Sequence, residues 1–166
     1  MSMAPGDRTQ DSARLRWALV VVCGPSGSGR SCFGGALAGL AQERGWRALV
    51  LGVGRGEEAV ENEVRRWLAE PGLLVLDGPG PTRAARRRWL ELAGELGVPA
   101  TLALMAVGSA EIARRDLSAG RPNSACTGWF AAFEWPAATE DPFVVWAGQE
   151  STAAEALLSR LESSGQ

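Results

Sequence analysis

The feature that most constrains this chain is an apolar run that ends in a glycine-rich turn and continues into a helical pattern. Residues 17–23 read WALVVVC, the nearly continuous apolar run that a strand buried on both faces requires. The turn GPSGSGRS follows at residues 24–31, and apolar side chains then recur at helical spacing from Phe33 to Ala41. This order favours a parallel α/β fold with the first strand at the centre of the sheet.

The rest of the chain alternates short apolar runs with helical patterns. Further strands are predicted at residues 48–53, 73–76, 100–107 and 143–146, with helices between them and after the last one. Thr82 and Ser109 are expected to cap two of these helices. We therefore predict an α/β three-layer sandwich around a five-stranded parallel sheet. One domain would span residues 16–166, after a disordered leader at residues 1–15.

Composition argues against several classes of function. The 166 residues include 17 basic side chains, all of them arginine, and 19 acidic ones, giving a formal net charge of −2. This balance gives no electrostatic reason to expect nucleic-acid binding. The absence of histidine removes histidine metal ligands and histidine acid–base catalysis. No apolar run reaches the roughly 18 residues of a membrane span. Three cysteines at spacings that fit no metal motif favour a reduced, cytoplasmic protein.

The turn matches the phosphate-binding P-loop pattern G-x-x-x-x-G-[K]-[ST] with one departure. Its residues are Gly24, Pro25, Ser26, Gly27, Ser28, Gly29, Arg30 and Ser31. The glycines let successive backbone N–H groups point at phosphate oxygens, and the N-terminus of the next helix adds a favourable dipole. Ser31 is placed to ligate Mg²⁺. Arg30 replaces the expected lysine and keeps its charge, but a planar guanidinium is not a compact point charge. The alternative interpretation is a glycine-rich turn without function.

Asp77 is a second candidate for the same site, because it ends the apolar run at residues 73–76. A carboxylate at the C-terminal end of a neighbouring parallel strand can hold the water shell of Mg²⁺. The alternative is an ordinary turn aspartate before Gly78 and Pro79.

Residues 73–89 (LLVLDGPGPTRAARRRW) resemble P-loop kinases of the polynucleotide-kinase-like and zeta-toxin-like kind. Residues 91–107 and the later Phe-Glu-Trp-Pro segment at 133–136 extend the resemblance, which covers about residues 17–147. It implies the fold of P-loop nucleoside-triphosphate hydrolases, use of ATP with Mg²⁺, and transfer of the γ-phosphoryl group to a hydroxyl.

The resemblance also implies a lid whose arginines hold the phosphates. Arg114, Arg115 and Arg121 fall in the matching region, where clustered cations suit phosphoryl transfer. The alternative for all three is a solvated helix end.

Two departures from these kinases fall on the acceptor side. Gly54 stands where they carry an aspartate that receives the proton of the acceptor hydroxyl, and Glu57 and Glu58 are the nearest carboxylates. Pro79-Gly80 replaces a Thr-Asn pair. Two hypotheses follow. One is an ATP-dependent phosphotransferase acting on a small molecule rather than on nucleic acid. The other is a degenerate P-loop protein that binds a nucleotide or a partner, or has a repurposed pocket.

Other residues are assigned structural roles. A cluster of arginines at the start of one helix is expected to be a solvated face with ion pairs to Glu91 and Glu95, and the alternative is a site for a substrate phosphate; it comprises Arg83, Arg86, Arg87 and Arg88. Cys23 and Cys32 are expected to be core packing. Trp129 and Trp135, close to the predicted lid, are candidates for lining a pocket.

Overall fold

The computed structural model describes residues 17–54, 56–120 and 125–164. Its five strands form one parallel sheet in the order β2-β3-β1-β4-β5. They are β1 (Ala18–Cys23), β2 (Ala48–Gly52), β3 (Leu73–Asp77), β4 (Ala100–Ala106) and β5 (Phe143–Trp146). The predicted sheet is confirmed, and each predicted strand agrees to within one residue at either end. The leader predicted at residues 1–15 and the candidate Arg121 lie outside the described residues.

Helices cover both faces of the sheet. They are α1 (Arg30–Glu43), α2 (Glu57–Trp67), α3 (Arg83–Glu95), α4 (Ser109–Ser118), α5 (Ala125–Ala132) and α6 (Glu150–Ser164). Helices α1 and α6 pack against the face that carries Val20 and Val22. Helices α2 and α3 pack against the face that carries Leu19 and Val21. The three-layer α/β sandwich is therefore confirmed. Within the described ranges, no helix is long and apolar enough to cross a membrane.

The central strand β1 is buried along its whole length and pairs with β3 on one edge and β4 on the other. Its register places Val22 beside Asp77 of β3 and Cys23 beside Leu104 of β4. Because parallel strands end at the same edge of a sheet, the turn after Cys23 lies between the ends of these two neighbours.

The predictions of local structure had mixed outcomes. Thr82 caps α3 as expected, since its hydroxyl accepts a hydrogen bond of 3.2 Å from the N–H of Ala85. The Ser109 cap is wrong: Gly108 is the N-cap residue of α4, its conformation is extended, and no side chain bonds there. Cys23 is buried as expected, and burial raises the pKa of its thiol. The packing role predicted for Cys32 is wrong, because this residue is exposed on the outer side of α1.

The expectation that Arg86 belongs to a solvated face is also wrong. Its side chain is fully buried and forms an ion pair with Glu140 in which Nε lies 2.8 Å from Oε1. The same guanidinium donates to the carbonyl oxygens of Pro81 and Glu134, both at 2.8 Å. Burial alone would raise the pKa of Glu140. Hydrogen bonds from Arg86 and from the N–H of Ala137 outweigh that effect and hold the pKa below its usual value.

The ion pairs expected with Glu91 and Glu95 are replaced by others between α2 and α3. Arg88 pairs with Glu57 and Glu61 of α2 rather than with carboxylates of its own helix. Glu95 pairs instead with Arg65 of α2 at 2.9 Å. The arginines of α3 therefore help to hold α2 and α3 together rather than only facing water.

We predict that Arg86→Met will destabilise the fold by about 3–5 kcal/mol, because it leaves the Glu140 carboxylate buried without its partner. Arg65→Met is the matched control, since Arg65 forms two ion pairs on the exposed surface. Urea unfolding monitored by circular dichroism measures both variants. A loss of stability in Arg86→Met no greater than that in Arg65→Met would contradict the buried clamp.

Candidate functional site

The turn between β1 and α1 forms a compact cradle whose shape requires glycine. Gly27 and Gly29 have φ angles of +80° and +94°, which other residues rarely adopt. Gly24 is closely packed: a Cβ atom there would lie 2.6 Å from Ser28 Oγ and 2.7 Å from the Cβ of Met105. Within the part of the chain that the structure describes, no side chain caps α1, so the first N–H groups of this helix remain available to an anion. The described cradle thus has the backbone features of a phosphate site.

Ser31 and Asp77, the two predicted magnesium ligands, lie side by side at the edge of the cradle. The Ser31 hydroxyl donates a hydrogen bond of 2.7 Å to Asp77 Oδ2. The other oxygen, Oδ1, is buried and has no hydrogen-bond partner among the described residues. No three His, Cys, Asp or Glu side chains converge on a metal site in the described part of the chain. The two residues therefore fit Mg²⁺ held largely by phosphate oxygens and water, which is how this ion is usually bound beside nucleotides.

Arg30 leans towards the same carboxylate. Its Nη1 atom lies 3.4 Å from Asp77 Oδ1 and packs against the backbone of Gly78. Gly78 has a φ of +92°, and a Cβ atom at this position would collide with the Arg30 guanidinium. The guanidinium thus supplies positive charge beside Asp77, where it would compete with a divalent cation.

Of the predicted lid arginines, the structure brings Arg115 to the cradle and leaves Arg114 outside. Arg115 Nη1 donates to the Gly27 carbonyl at 3.4 Å, while Nε bonds Glu111 at 2.8 Å. Arg114 is 68% exposed and bonds the same carboxylate. Hydrogen bonds from Arg114 and then Arg115 lower the pKa of Glu111 to about 2. Glu111 is therefore ionised at neutral pH and helps to hold Arg115 in place.

Sequence reasoning missed two carboxylates at the cradle. A Cβ atom on Gly29 would lie 2.7 Å from Glu150 Oε1, and one on Gly27 would lie 3.1 Å from Asp116 Oδ1. Glu150 also pairs with Arg115 at 3.3 Å. No spacing in the sequence connects residues 27–29 with a glutamate at the start of the last helix. Glu150 reaches the cradle only because α6 begins next to it after β5.

The part of the site where the sequence predicts the acceptor, near Gly54, has no carboxylate directed towards it among Glu57 and Glu58. Apart from its chain neighbours, no heavy atom of the described residues lies within 4 Å of a Cβ built on this glycine. Glu57 turns to Arg88 of α3 in an ion pair of 2.5 Å, and Glu58 is exposed on α2. Trp129 and Trp135 do line a small cavity, at the end of β4.

Solved structures with the same fold include two kinases and a protein solved with a bound nucleotide. Kti12 from Chaetomium thermophilum, solved with ADP-AlF3, superposes with a TM-score of 0.72 at 15% identity, over 89% of this chain and 99% of that one. A gluconokinase from Sinorhizobium meliloti 1021 gives 0.66 at 20% identity over 91% and 96%. The Mycobacterium tuberculosis APS kinase CysC, solved with AMPPNP and APS, gives 0.67 at 21% identity over 89% and 98%.

These likenesses define the class of fold: the chain has the fold of the P-loop kinases. No protein-family model matches the sequence. No curated protein matches it either. The particular activity must therefore be argued from the site.

We predict that Gly78→Ala will displace Arg30 from Asp77 and destabilise the fold by about 1–3 kcal/mol, since alanine at positive φ is strained. Gly80→Ala is the control, because the nearest atom to its added Cβ is 3.6 Å away and its φ is not positive. Thermal unfolding of the two variants tests this. Equal stability of both would contradict the close approach of Arg30.

Proposed function

We propose that this protein is an ATP-dependent phosphotransferase that moves the γ-phosphoryl group to a hydroxyl of a small molecule. The observation that carries the proposal is the contact between Ser31 and Asp77 at the edge of the cradle, 2.7 Å apart. Asp77 ends β3 and Ser31 lies in the first turn of α1, 46 positions away in the sequence, and a phosphate site that uses Mg²⁺ needs both of them. The nucleotides bound to Kti12 and APS kinase in their solved structures support the choice of ATP.

Each group at the cradle has a definable task. Backbone N–H groups of Gly27 and of residues 29–31 would bind the phosphates, and the α1 dipole would favour their negative charge. Arg30 and Arg115 would stabilise the charge that develops on the transferring group. Mg²⁺ held by Ser31 and, through water, by Asp77 would neutralise charge on the phosphate oxygens. Most of the rate acceleration would come from positioning, which suits a site with no acceptor-side carboxylate at Gly54.

A small-molecule acceptor is favoured over nucleic acid by charge. The chain has a formal net charge of −2, and many described arginines are already paired with carboxylates within the fold. A strand of phosphates needs a face of unpaired cations.

One observation favours a second candidate, a P-loop protein that binds nucleotide without transferring phosphate. The Arg30 guanidinium lies on the Asp77 carboxylate, where it opposes a divalent cation. If that ion pair persists in the nucleotide complex, the protein would act as a nucleotide-dependent binding module.

Calorimetry with ATP and Mg²⁺, followed by transfer of labelled γ-phosphate to a panel of alcohols, separates the two candidates. The phosphotransferase requires both binding and transfer, and Asp77→Asn should abolish transfer. Ser118→Ala is a suitable control, because Ser118 lies at the exposed end of α4. Tight binding without transfer to any acceptor and without hydrolysis would favour the binding module. Absence of nucleotide binding would refute both.

We predict that Arg115→Ala will weaken ATP binding at least about tenfold, because it removes a charged hydrogen-bond donor at the cradle. Arg114→Ala is the matched control on the same helix and should change the affinity less than about threefold, since its guanidinium is largely exposed. Calorimetric titration of both variants provides the test. Equal losses of ATP affinity in the two variants would contradict a direct contact of Arg115, because both arginines would then act only through their positive charge.

A further inference from the structure

A small cavity at the C-terminal end of β4 is lined only by apolar and aromatic side chains. Its volume is about 160 Å³. The floor is formed by residues 104–107, and the walls are Trp129, Phe130, Phe133 and Trp135. Among the described residues, no charged or hydroxyl-bearing side chain belongs to this lining. The ligand that such a surface recognises is therefore apolar where it enters the cavity.

The aromatic walls are arranged as a ring-binding site. Trp129 and Phe133 stack with ring centroids 4.9 Å apart. Trp135 meets Phe133 edge to face at 5.3 Å, and Phe130 meets Trp129 in the same way at 5.5 Å. Rings in these orientations offer both faces and edges to a further aromatic ring, which gains from either contact.

The walls are held in place by polar bonds behind them. The buried Arg86 guanidinium donates to the Glu134 carbonyl at 2.8 Å and lies 5.8 Å from the centroid of Phe133. Arg83 Nε donates to the Trp135 carbonyl at 2.6 Å. These bonds fix the backbone that carries Phe133 and Trp135, so the cavity is preformed rather than closed by the ligand.

The cavity adjoins the phosphate cradle. Met105 forms part of the cavity floor, and its Cβ lies 2.7 Å from where a Cβ on Gly24 would sit. The register of β1 and β4, in which Cys23 pairs with Leu104, produces this closeness. Met105 therefore contacts both the cavity and the first residue of the cradle.

We propose that the cavity binds a single aromatic ring of the phosphoryl acceptor, so that the acceptor is a small aryl-bearing alcohol. This proposal rests on the phosphotransferase function proposed above. The size matches one ring, because an apolar cavity of about 150 Å³ binds benzene. A purine base fits the lining less well, since the indole N–H groups of Trp129 and Trp135 are the lining's polar side-chain groups and neither can accept a hydrogen bond from its amino group. The hydroxyl, on a short arm, would extend from the cavity towards the cradle.

The test is a ¹⁹F NMR titration of the full chain with 4-fluorobenzyl alcohol, in the absence of nucleotide. We expect saturable binding with a dissociation constant of about 1 mM or lower. Ala106→Phe, which places a ring in the cavity, should weaken binding at least about tenfold. Trp129→Ala, which removes a wall, should also weaken it and serves if the first variant does not fold. The control Trp146→Ala removes an equally large side chain, 61% exposed at the end of β5, that does not line the cavity.

The saturated analogue (4-fluorocyclohexyl)methanol should bind about three- to tenfold more weakly, because it lacks the ring face and edge. Three outcomes would overturn the proposal: no saturable binding, equal effects of the cavity variants and Trp146→Ala, or equal affinity for the saturated analogue.

A separate assay of labelled phosphate transfer keeps the two proposals distinct. Ring binding without phosphate transfer to any alcohol refutes the phosphotransferase and leaves a ring-binding cavity. Transfer only to alcohols without a ring refutes the cavity proposal alone.

Discussion

β1 is buried on both faces and hydrogen-bonded on both edges, and the positions of the site residues depend on its register. Pairing with β3 sets Asp77 beside Val22, and pairing with β4 sets Leu104 beside Cys23. The N–H of Gly78 then reaches the Val22 carbonyl at 3.2 Å. A shift of one residue would turn every side chain of the strand to the opposite face. The apolar packing of both layers thus protects the geometry of the cradle, although no residue of β1 itself is charged.

The sequence predicts the sheet well for a physical reason. Parallel strands covered on both faces must be apolar along their length, so each strand is a continuous apolar run bounded by polar turns. The cradle can be predicted from the sequence equally well, because its backbone conformations require glycine at particular positions. Asp77 could be assigned to the same edge because parallel strands end together.

The error at Arg86 and the failure to find Glu150 arise where a tertiary contact overrides local character. Arg86 sits in a run of arginines that looks solvated, yet it shares helical spacing with the buried Trp89 and Ala93. That periodicity favours burial of Arg86. A buried guanidinium also needs a charged partner, and the partner, Glu140, lies 54 residues later in the sequence. Glu150 has no such signal. Its approach to Gly29 depends on where α6 starts after β5.

Charge at the cradle is balanced between competing partners. Arg115 divides its hydrogen bonds among Glu111, Glu150 and the Gly27 carbonyl, while Asp77 divides its oxygens between Ser31 and Arg30. A phosphate arriving at the cradle would therefore exchange one anionic partner of Arg115 for another, so the guanidinium need not be desolvated anew.

The Arg86 clamp connects the turn after β3 with the aromatic cavity. A guanidinium presents five donors in a rigid fork, which lets it serve the Glu140 carboxylate and two backbone carbonyls together. One of those carbonyls belongs to Pro81, in the turn that follows Asp77 and Gly78, and the other to Glu134, between the cavity walls Phe133 and Trp135. Because the same side chain binds both segments, the aromatic walls are positioned relative to the end of β3. A lysine in its place would offer a single point charge and could not reproduce this set of directions. The ion pair between Arg86 and Glu140 therefore has a second effect besides offsetting the cost of its own desolvation. It orders the irregular backbone around Glu134, which belongs to no strand or helix.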